Sequence, residues 1–358
     1  MRILKVALVI LAVLLLGAVA ARTLFAEQIG TALFKAAVKK QAGRNVLAEP
    51  VDGLTVILVG TGSPLPDPAR VGPMTVVAAG HRVFIVDAGS GTGRRFGELG
   101  LPWGQVEGAF LTHFHSDHID GLGEVILQHW AAGGAREPLP LHGPRGVELV
   151  ADGFNQAYAW DASYRLAHHG PDVVPPGGSG AQPVSFDPST DSMIVYDEDG
   201  LVVTAVSVDH SPVEPAVGYR FDYKGRSVTL SGDTAKDAAL TKLATGTDIL
   251  VHEGLSEEMV AIIGEELTAK GQPRLAQIMA DIPDYHTSPV AAAEVANEAG
   301  AHMLVFSHLV PAVPSRALYP VFLKGTKKAY DGPIVLGEDG MMFELPAGSD
   351  KIVRKRLD

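Results

Sequence analysis

Three histidines and one aspartate lie within six positions of the stretch LTHFHSDHIDGL, residues 111–122. His113 and His115 are two residues apart, so on an extended segment their imidazoles point to the same side and can share one metal ion. Asp117 and His118 follow at the expected start of a helix, offset enough to serve a second ion. An isolated HxH pair is a weak signal, and exposed turn histidines are the alternative, but HxHxDH is far more specific. The chain has no cysteine, so thiolate ligands are excluded.

Short apolar segments that end in glycine or in polar residues must position these side chains. Strands are predicted at 54–60, 82–89, 108–113, 201–210, 217–223, 227–233, 248–254 and 302–308. Helices are predicted at 121–133, 236–246, 256–271 and 289–300. Strands alternating with helices indicate a layered α/β fold. The stretch 171–192 is rich in Pro, Gly and Ser and is predicted to be a surface loop or flexible lid.

The composition is that of a globular protein with an acidic balance. The chain has 358 residues, is 46% hydrophobic and carries a formal net charge of −12. This size allows one large or two ordinary domains. Nucleic-acid binding normally relies on clustered Lys and Arg, so the net charge makes a nucleic-acid partner unlikely, although a local basic groove stays open.

The N-terminus predicts a passage to or through a membrane. Arg2 and Lys5 precede an unbroken apolar run at 6–21. A signal peptide or membrane anchor at 1–21 is the leading interpretation, and a buried N-terminal helix is the alternative. The protein is therefore expected to be exported, periplasmic or extracellular, or to be anchored to the membrane by this segment. Residues 22–53 are expected to form a linker with a short amphipathic helix.

Several motifs follow one another along the chain: VGTGSPLPDPARVGP (59–73), FIVDAGSGTGRRF (84–96), THFHSDHIDGL (112–122), VDHSPVEPAVGYRF (208–221), LSGDT (230–234), LVHEG (250–254), YHTS (285–288) and VFSHLVP (305–311). In this order they resemble the ribonuclease Z and arylsulfatase-like branch of the metallo-β-lactamase superfamily. The resemblance covers about 54–340. It implies a four-layer αβ/βα fold, with two mixed β-sheets sandwiched between helices, over 54–345. An insertion is expected at about 150–200 and a charged tail at 346–358.

The resemblance also implies a centre of two Zn²⁺ ions, which Mn²⁺ or Fe could replace. It assigns His113, His115 and His210 to one ion, Asp117, His118 and His308 to the other, and Asp233 to both. Such ions lower the pKa of a bound water to roughly 7 and so supply a hydroxide nucleophile. Asp117 is a candidate to orient that hydroxide as well. His286 is the best candidate to protonate the leaving group or to stabilise the charged intermediate, and a helix-capping or packed histidine is the alternative.

The sequence leaves the roles of some polar residues open. Glu253 either supports a ligand or belongs to an ordinary turn. Asp87 is expected to fix a loop or a ligand histidine rather than to bind metal. For His142, His168 and His169 a ligand role is doubtful.

The branch contains enzymes that cut tRNA precursors and others that cut aryl sulfates, cyclic nucleotides or lactones. The fold alone does not indicate which of these substrates a member cleaves. The leader, and the lack of a long basic arm, favour an exported dinuclear-zinc hydrolase that cleaves a phosphodiester or sulfate ester of a small substrate. One alternative is a ribonuclease Z-type tRNA 3′-processing endonuclease. Another is a non-catalytic, membrane-tethered metal-binding module. A homodimer is one option for the assembly.

Overall fold

A computed structural model describes residues 2–357, apart from the side chains of residues 3, 16 and 18–20. The chain divides into two units, Met1–Asn45 and Val46–Asp358. In the first, helix α1 (Arg2–Leu24) is followed by helix α2 (Ala26–Gln41). The predicted leader falls partly outside the described residues and stays a prediction. Where side chains are described, no helix is both long and apolar enough to cross a membrane.

Two β-sheets form the centre of the second unit. The strands of this unit are β1 (Gly53–Gly60), β2 (Met74–Ala79), β3 (Arg82–Val86), β4 (Val106–Phe110), β5 (Leu139–Pro144), β6 (Ala181–Phe186), β7 (Met193–Glu198), β8 (Leu201–Ser207), β9 (Val217–Tyr223), β10 (Arg226–Leu230), β11 (Ile249–Leu255), β12 (Met303–Val310), β13 (Ile334–Leu336), β14 (Met341–Pro346) and β15 (Val353–Arg356).

Helices follow or separate these strands. They are α3 (Thr92–Glu98), α4 (Ser116–Ile119), α5 (Leu122–Ala131), α6 (Val147–His169), α7 (Ala238–Leu243), α8 (Glu257–Ala269), α9 (Pro273–Asp281), α10 (Pro289–Ala299), α11 (Tyr319–Phe322) and α12 (Thr326–Ala329). In α10 the Ser288 hydroxyl accepts a hydrogen bond from the backbone N–H of Ala291, and Gly300 ends the helix in the left-handed conformation. These are the start and stop that the Ser-Pro and Gly residues predict.

Both sheets are mixed. The first has the strand order β15-β14-β1-β2-β3-β4-β5-β6, and the second has the order β13-β12-β11-β10-β9-β8-β7. Pairing is parallel from β3 to β6 in the first sheet and from β10 to β13 in the second, and the remaining pairs are antiparallel. Parallel strands deliver their carboxyl ends to the same edge of a sheet, which is where functional loops collect.

The apolar core lies between the sheets and on their outer faces. Strand β1 shows why, because its residues are buried on both sides. Leu54 and Val56 point into the core shared with the second sheet, whereas Ile57 and Val59 pack on the helix side. This alternation is the two-residue period of a strand. A further cluster packs α10 against β12. The predicted α/β class, with two mixed sheets and helices, is confirmed.

Of the seven strands that were not predicted from the sequence, four lie at sheet edges (β6, β7, β13 and β15) and three lie inside the first sheet (β2, β5 and β14). The prediction that 171–192 is a surface loop or flexible lid is wrong over 181–186, because these residues form β6, which pairs in parallel with β5. Pro183 hides this strand in the sequence, yet an edge strand tolerates a proline. The range 150–200, expected to be an insertion, carries β6 and β7, each at the edge of a sheet. The range 346–358, expected to be a charged tail, contains β15.

One buried histidine of β5 makes the stability of the fold depend on pH. The ring of His142 stacks on that of Phe110, with centroids 4.4 Å apart and planes 12° from parallel. Its Nδ1 has no hydrogen-bond partner. Burial lowers the pKa of His142 to about 4, because the buried ring cannot easily carry a charge.

Replacing this ring with a neutral one should remove part of the acid sensitivity. Because the pKa of His142 is lower in the folded state than in the unfolded state, the unfolded chain takes up the proton first as the pH falls. The free energy of unfolding is therefore highest above pH 6.5 and decreases as the pH falls from about 6.5 to 4. We expect the unfolding free energy of the wild type to fall by up to ~1.4 kcal/mol per pH unit more than that of His142→Phe in this window. Urea unfolding across the pH range measures the difference. His81→Phe, at an exposed turn, is the control, and equal pH profiles for wild type and His142→Phe would contradict the prediction.

Candidate metal centre

The loops that leave three strands converge on the end of a fourth. His113 and His115 follow β4, His210 follows β8 and Asp233 follows β10, while His308 lies within β12. Each strand therefore brings its polar residue to the same rim of the two sheets. The structure thus collects residues that are up to about two hundred positions apart in the sequence.

The first cluster contains His113, His115, His210 and Asp233, whose candidate donor atoms lie within 4.8 Å of one another. The Nδ1 atom of His115 lies 3.0 Å from Nε2 of His113 and 3.4 Å from Nε2 of His210. Three ring nitrogens therefore face a common point, which is the arrangement that a shared metal ion requires.

Hydrogen bonds fix which nitrogen of two of these rings faces the cluster. Nδ1 of His113 lies 3.1 Å from the hydroxyl of Thr112, which itself donates to a carboxylate. Nδ1 of His210 donates to the carbonyl oxygen of Tyr285 at 2.8 Å. With each Nδ1 carrying the proton, each Nε2 presents a lone pair to the cluster.

The second cluster contains Asp117, His118 and His308. Oδ2 of Asp117 lies 3.1 Å from Nε2 of His308 and 3.6 Å from Nε2 of His118. Asp87 accepts a hydrogen bond from Nδ1 of His118 at 2.9 Å and also accepts the backbone N–H of Thr112 at 2.8 Å. Asp87 therefore orients a candidate ligand and its loop, as expected, and does not join the cluster itself.

Asp233 lies between the two clusters. Its Oδ2 is 3.4 Å from Nε2 of His118, 3.4 Å from Nε2 of His308 and 3.9 Å from Nε2 of His113. The side chain is almost fully buried. One carboxylate is thus in reach of rings from both clusters, which is the position that a bridging ligand needs.

The backbone at His308 is distorted where it enters the site. The pairing of β11 with β12 shifts register between His252 and Gly254, so β12 has an extra residue there. His308 has a φ of +48°, in the left-handed region that non-glycine residues rarely adopt. A bulge of this kind re-aims a side chain, and here it turns the His308 ring towards Asp117.

The electrostatics keep three of the histidines neutral. Burial lowers the pKa of His113 well below its ordinary value, and the neighbouring His118 adds to the effect. Burial also lowers the pKa of His115 and of His210. Neutral imidazole is the form that binds a metal ion.

The carboxylates of the site are held in their charged form. Burial alone would raise the pKa of Asp233, but His308 and His118 hold it well below its usual range. Burial likewise opposes ionisation of Asp117, yet its hydrogen bond with His308 lowers the pKa. The site therefore offers anionic oxygens beside the neutral nitrogens of His113, His115 and His210. Burial would lower the pKa of His118 as well, but the carboxylates of Asp233 and Asp87 raise it well above its ordinary value.

These residues fit a divalent metal ion. Nε2 of His118 and Oδ1 of Asp233 are buried without a hydrogen-bond partner. Orphaned polar atoms are costly in a folded protein unless something else satisfies them. Imidazole and carboxylate donors at this density suit zinc, and Mn²⁺ or Fe share the same donor preferences.

His286 stands beside both clusters. It has a donor atom within 4.8 Å of those of Asp233 and His308, and its ring is stacked 5.8 Å from that of His308. Nδ1 of His286 donates to Glu253 at 3.2 Å, and the same carboxylate oxygen accepts the backbone N–H of Thr287 at 2.7 Å. Burial lowers the pKa of His286, but Glu253 more than offsets it and raises the value to about 9.

The structure settles the surroundings of the residues whose roles the sequence left open. Glu253 supports His286 rather than forming a simple turn. His142 is buried away from the clusters, and His168 and His169 are exposed at the end of α6. Sequence reasoning missed Thr112 and the carbonyl of Tyr285, which orient ligand candidates. Their positions next to His113 and His286 are the only sequence signal that could have found them.

The sequence of this chain is similar to those of known proteins. A family model described as the metallo-beta-lactamase superfamily matches residues 67–251. A ribonuclease Z of Mycobacterium avium (strain 104) is 39% identical over 305 residues, which are 83% of this chain and 100% of that protein. A ribonuclease Z of Mycobacterium tuberculosis (strain ATCC 25618 / H37Rv) is 37% identical over 262 residues, 73% of this chain and 87% of the relative.

Solved structures share the fold at lower identity. The crystal structure of the metallo-beta-lactamase fold protein YhfI from Bacillus subtilis aligns with a TM-score of 0.58 and 18% identity, covering 81% of this chain and 99% of that one. The crystal structure of human tRNase Z, short form, aligns with a TM-score of 0.57 and 21% identity, covering 82% and 99%. At these identities the likeness shows the fold alone.

If the clusters hold metal ions, chelation should destabilise the protein. A ligand that binds only the folded state raises the free energy of unfolding by about 2.7 kcal/mol when its free concentration is 100 times its Kd. We expect the thermal midpoint to fall with chelator and to recover with zinc, and we expect Asp233→Asn to show a smaller response and less bound metal by mass spectrometry. Asp120→Asn, an exposed acid beside the motif, is the control. A midpoint that is indifferent to chelator in the metal-loaded wild type would refute the assignment.

Proposed function

The chain belongs to the metallo-beta-lactamase superfamily, and on that premise we propose that it is a ribonuclease Z-type endonuclease that removes the 3′ extension of tRNA precursors. The observation that carries this proposal is the 39% identity to a ribonuclease Z over the full length of that relative. The two clusters support it, since they lie together at one rim as a phosphodiester hydrolase requires.

The expectation of an exported hydrolase acting on a small phosphodiester or sulfate ester is wrong. It depended on the apolar leader and on the lack of a long basic arm. The relatives that match most of this chain are named ribonuclease Z, at 37–39% identity. A leader-like segment informs about location but not about the bond that is cut, and the expected location stays a prediction.

The expectation that nucleic acid is an unlikely partner is also wrong. Relatives named ribonuclease Z act on RNA, and a structural neighbour is a tRNase Z. The net charge of −12 misled the inference because it sums over the whole chain. Contacts with phosphates depend instead on the charges near the bound strand.

In this proposal His113, His115 and His210 would hold one ion, Asp117, His118 and His308 would hold the other, and Asp233 would be available to both. Bound divalent ions, two Zn²⁺ or alternatively Mn²⁺ or Fe, would supply Lewis-acid polarisation of the phosphodiester and a water nucleophile of lowered pKa. The protein sets the geometry of this centre through Asp87, Thr112 and Tyr285, which hold the ligand rings.

His286 is positioned to transfer a proton to the leaving oxygen of the cut strand. Its Nδ1 is fixed by Glu253, so the free edge of the ring faces the clusters. The backbone N–H of Thr287 keeps Glu253 in place. Glu253 thus acts as a positioning residue through His286, and Asp117 is the carboxylate available to orient the attacking water.

Loss of the His286 ring should slow cleavage without abolishing RNA binding. General acid catalysis contributes roughly 10²–10⁴-fold, so we expect His286→Ala to lower kcat on a precursor tRNA by that order with a smaller change in KM. Glu253→Gln should lower kcat less, because Gln can still contact the ring, and it should alter the pH profile of kcat. Gel separation of the cleaved 3′ trailer measures the cleavage rates of both variants.

The control is His169→Ala, which removes an exposed histidine outside the site. Wild-type kcat in His286→Ala would remove the proton-transfer role. Failure of the metal-loaded wild type to cut any precursor tRNA would remove the proposed function itself.

A further inference from the structure

A groove runs between the open edges of the two sheets, at β13 and at β15. These strands end the second and the first sheet, respectively, so neither is paired on its outer side. The groove has a volume of about 530 Å³. Leu323, Leu336 and Met341 supply apolar surface, and charged side chains line the remainder.

The charges of this groove are mainly positive, against the trend of the acidic chain. Its cations are Arg316, Arg354, Lys355 and Arg356, and its one lining carboxylate is that of Glu338. All four residues of β15 are exposed. Lys355 also pairs with Glu344 at 2.6 Å, whereas Arg354 has no ion pair among the described residues.

Glu338 organises two of the guanidinium groups. Its carboxylate accepts hydrogen bonds from Nε and from an Nη of Arg316, both at 2.9 Å, and it also pairs with Arg356. Tyr319 donates its hydroxyl to the same carboxylate at 2.8 Å. These bonds, led by that of Arg316, lower the pKa of Glu338 to about 2. The guanidiniums are thus held in place before any ligand arrives.

One lining residue of the groove, Glu338, lies at the rim of the sheets that carries the candidate metal centre. β13 lies next to β12, which carries His308, and the two strands are parallel, so Glu338 follows β13 at the rim where His308 sits. The backbone N–H of Leu309 donates to the carbonyl of Thr61 at 3.0 Å. Arg70 bridges from Thr61 to the Tyr319 hydroxyl at the groove.

We propose that this groove binds the phosphate backbone of the RNA strand whose scissile bond lies at the metal centre. The inference rests on the proposed function. Guanidinium groups bind phosphate oxygens through two parallel hydrogen bonds, and Arg354 is free of competing carboxylates among the described residues. The apolar floor at Leu336 and Met341 matches a sugar or a base edge. An acidic protein segment would share the charge but has no reason to lie beside a phosphodiester site.

Reversing one groove charge should weaken RNA binding and change its salt dependence. The full chain in a His286→Ala background, which slows cutting, is titrated with fluorescent precursor tRNA at several salt concentrations. Each phosphate contact contributes about one unit to the slope of log K against log salt. We expect Arg354→Glu to weaken binding roughly tenfold and to reduce that slope by about one, and Arg354→Lys to retain most of the affinity.

The matched control is Lys224→Glu, the same change of charge at the turn between β9 and β10. This turn lies at the opposite end of β10 from Asp233, so it should leave the affinity unchanged. Arg354 is exposed, and thermal unfolding verifies that each variant is folded.

The outcomes separate this inference from the proposed function. If folded Arg354→Glu binds RNA with unchanged affinity and salt slope while the wild type cuts precursor tRNA, the RNA-binding role of the groove is wrong and the proposed function stands. A wild type that binds the RNA through Arg354 but never cuts it would overturn the proposed function and leave the groove standing. If Arg354→Glu lost binding of poly-glutamate but not of RNA, the occupant would be an acidic polypeptide and the inference would be wrong.

Discussion

The burial of the Asp233 carboxylate is the constraint that organises the rest of this molecule. An isolated buried carboxylate loses several kcal/mol of hydration, so nearby groups must supply compensating charge or hydrogen bonds. The Nε2 atoms of His113, His118 and His308 face it from the loop after β4, from helix α4 and from strand β12. These elements must therefore meet at one rim. The parallel strand pairs of the two mixed sheets provide such a rim, since their carboxyl ends lie together.

The hydrogen bonds that orient the ligand rings are as necessary for the geometry of the site as the rings themselves. A histidine ring can rotate and exchange tautomers unless its second nitrogen is held. Asp87 holds His118, and the Tyr285 carbonyl holds His210. Tyr285 immediately precedes His286, so one short turn orients a candidate ligand and places the candidate proton donor. The same turn also positions Glu253, because the backbone N–H of Thr287 donates a hydrogen bond to its carboxylate.

The sequence predicted the part of the site that is encoded locally. HxHxDH places four donors within six residues, and the distant His210, Asp233 and His308 each follow or end a recognisable apolar strand. The supporting contacts were harder to predict, because the carbonyl of Tyr285 and the carboxylate of Glu253 have no pattern of their own. Edge strands were also missed: β6 contains a proline, and β13 and β15 are short. Their pairing depends on a neighbouring strand rather than on their own periodicity.

The acidic net charge was the least informative property for function, and screening explains why. At physiological ionic strength the Debye length is about 8 Å, so exposed charges farther away contribute little to the potential at a bound phosphate. A chain can therefore be strongly acidic overall and still present a local cationic surface. Here Arg354, Lys355 and Arg356 form such a cationic surface on a single edge strand. Glu338 binds two of the guanidinium groups and does not neutralise all four cations of the groove. The placement of charge along the sheet edges, which only the folded chain reveals, therefore bears more directly on the binding of a polyanion than the net charge does.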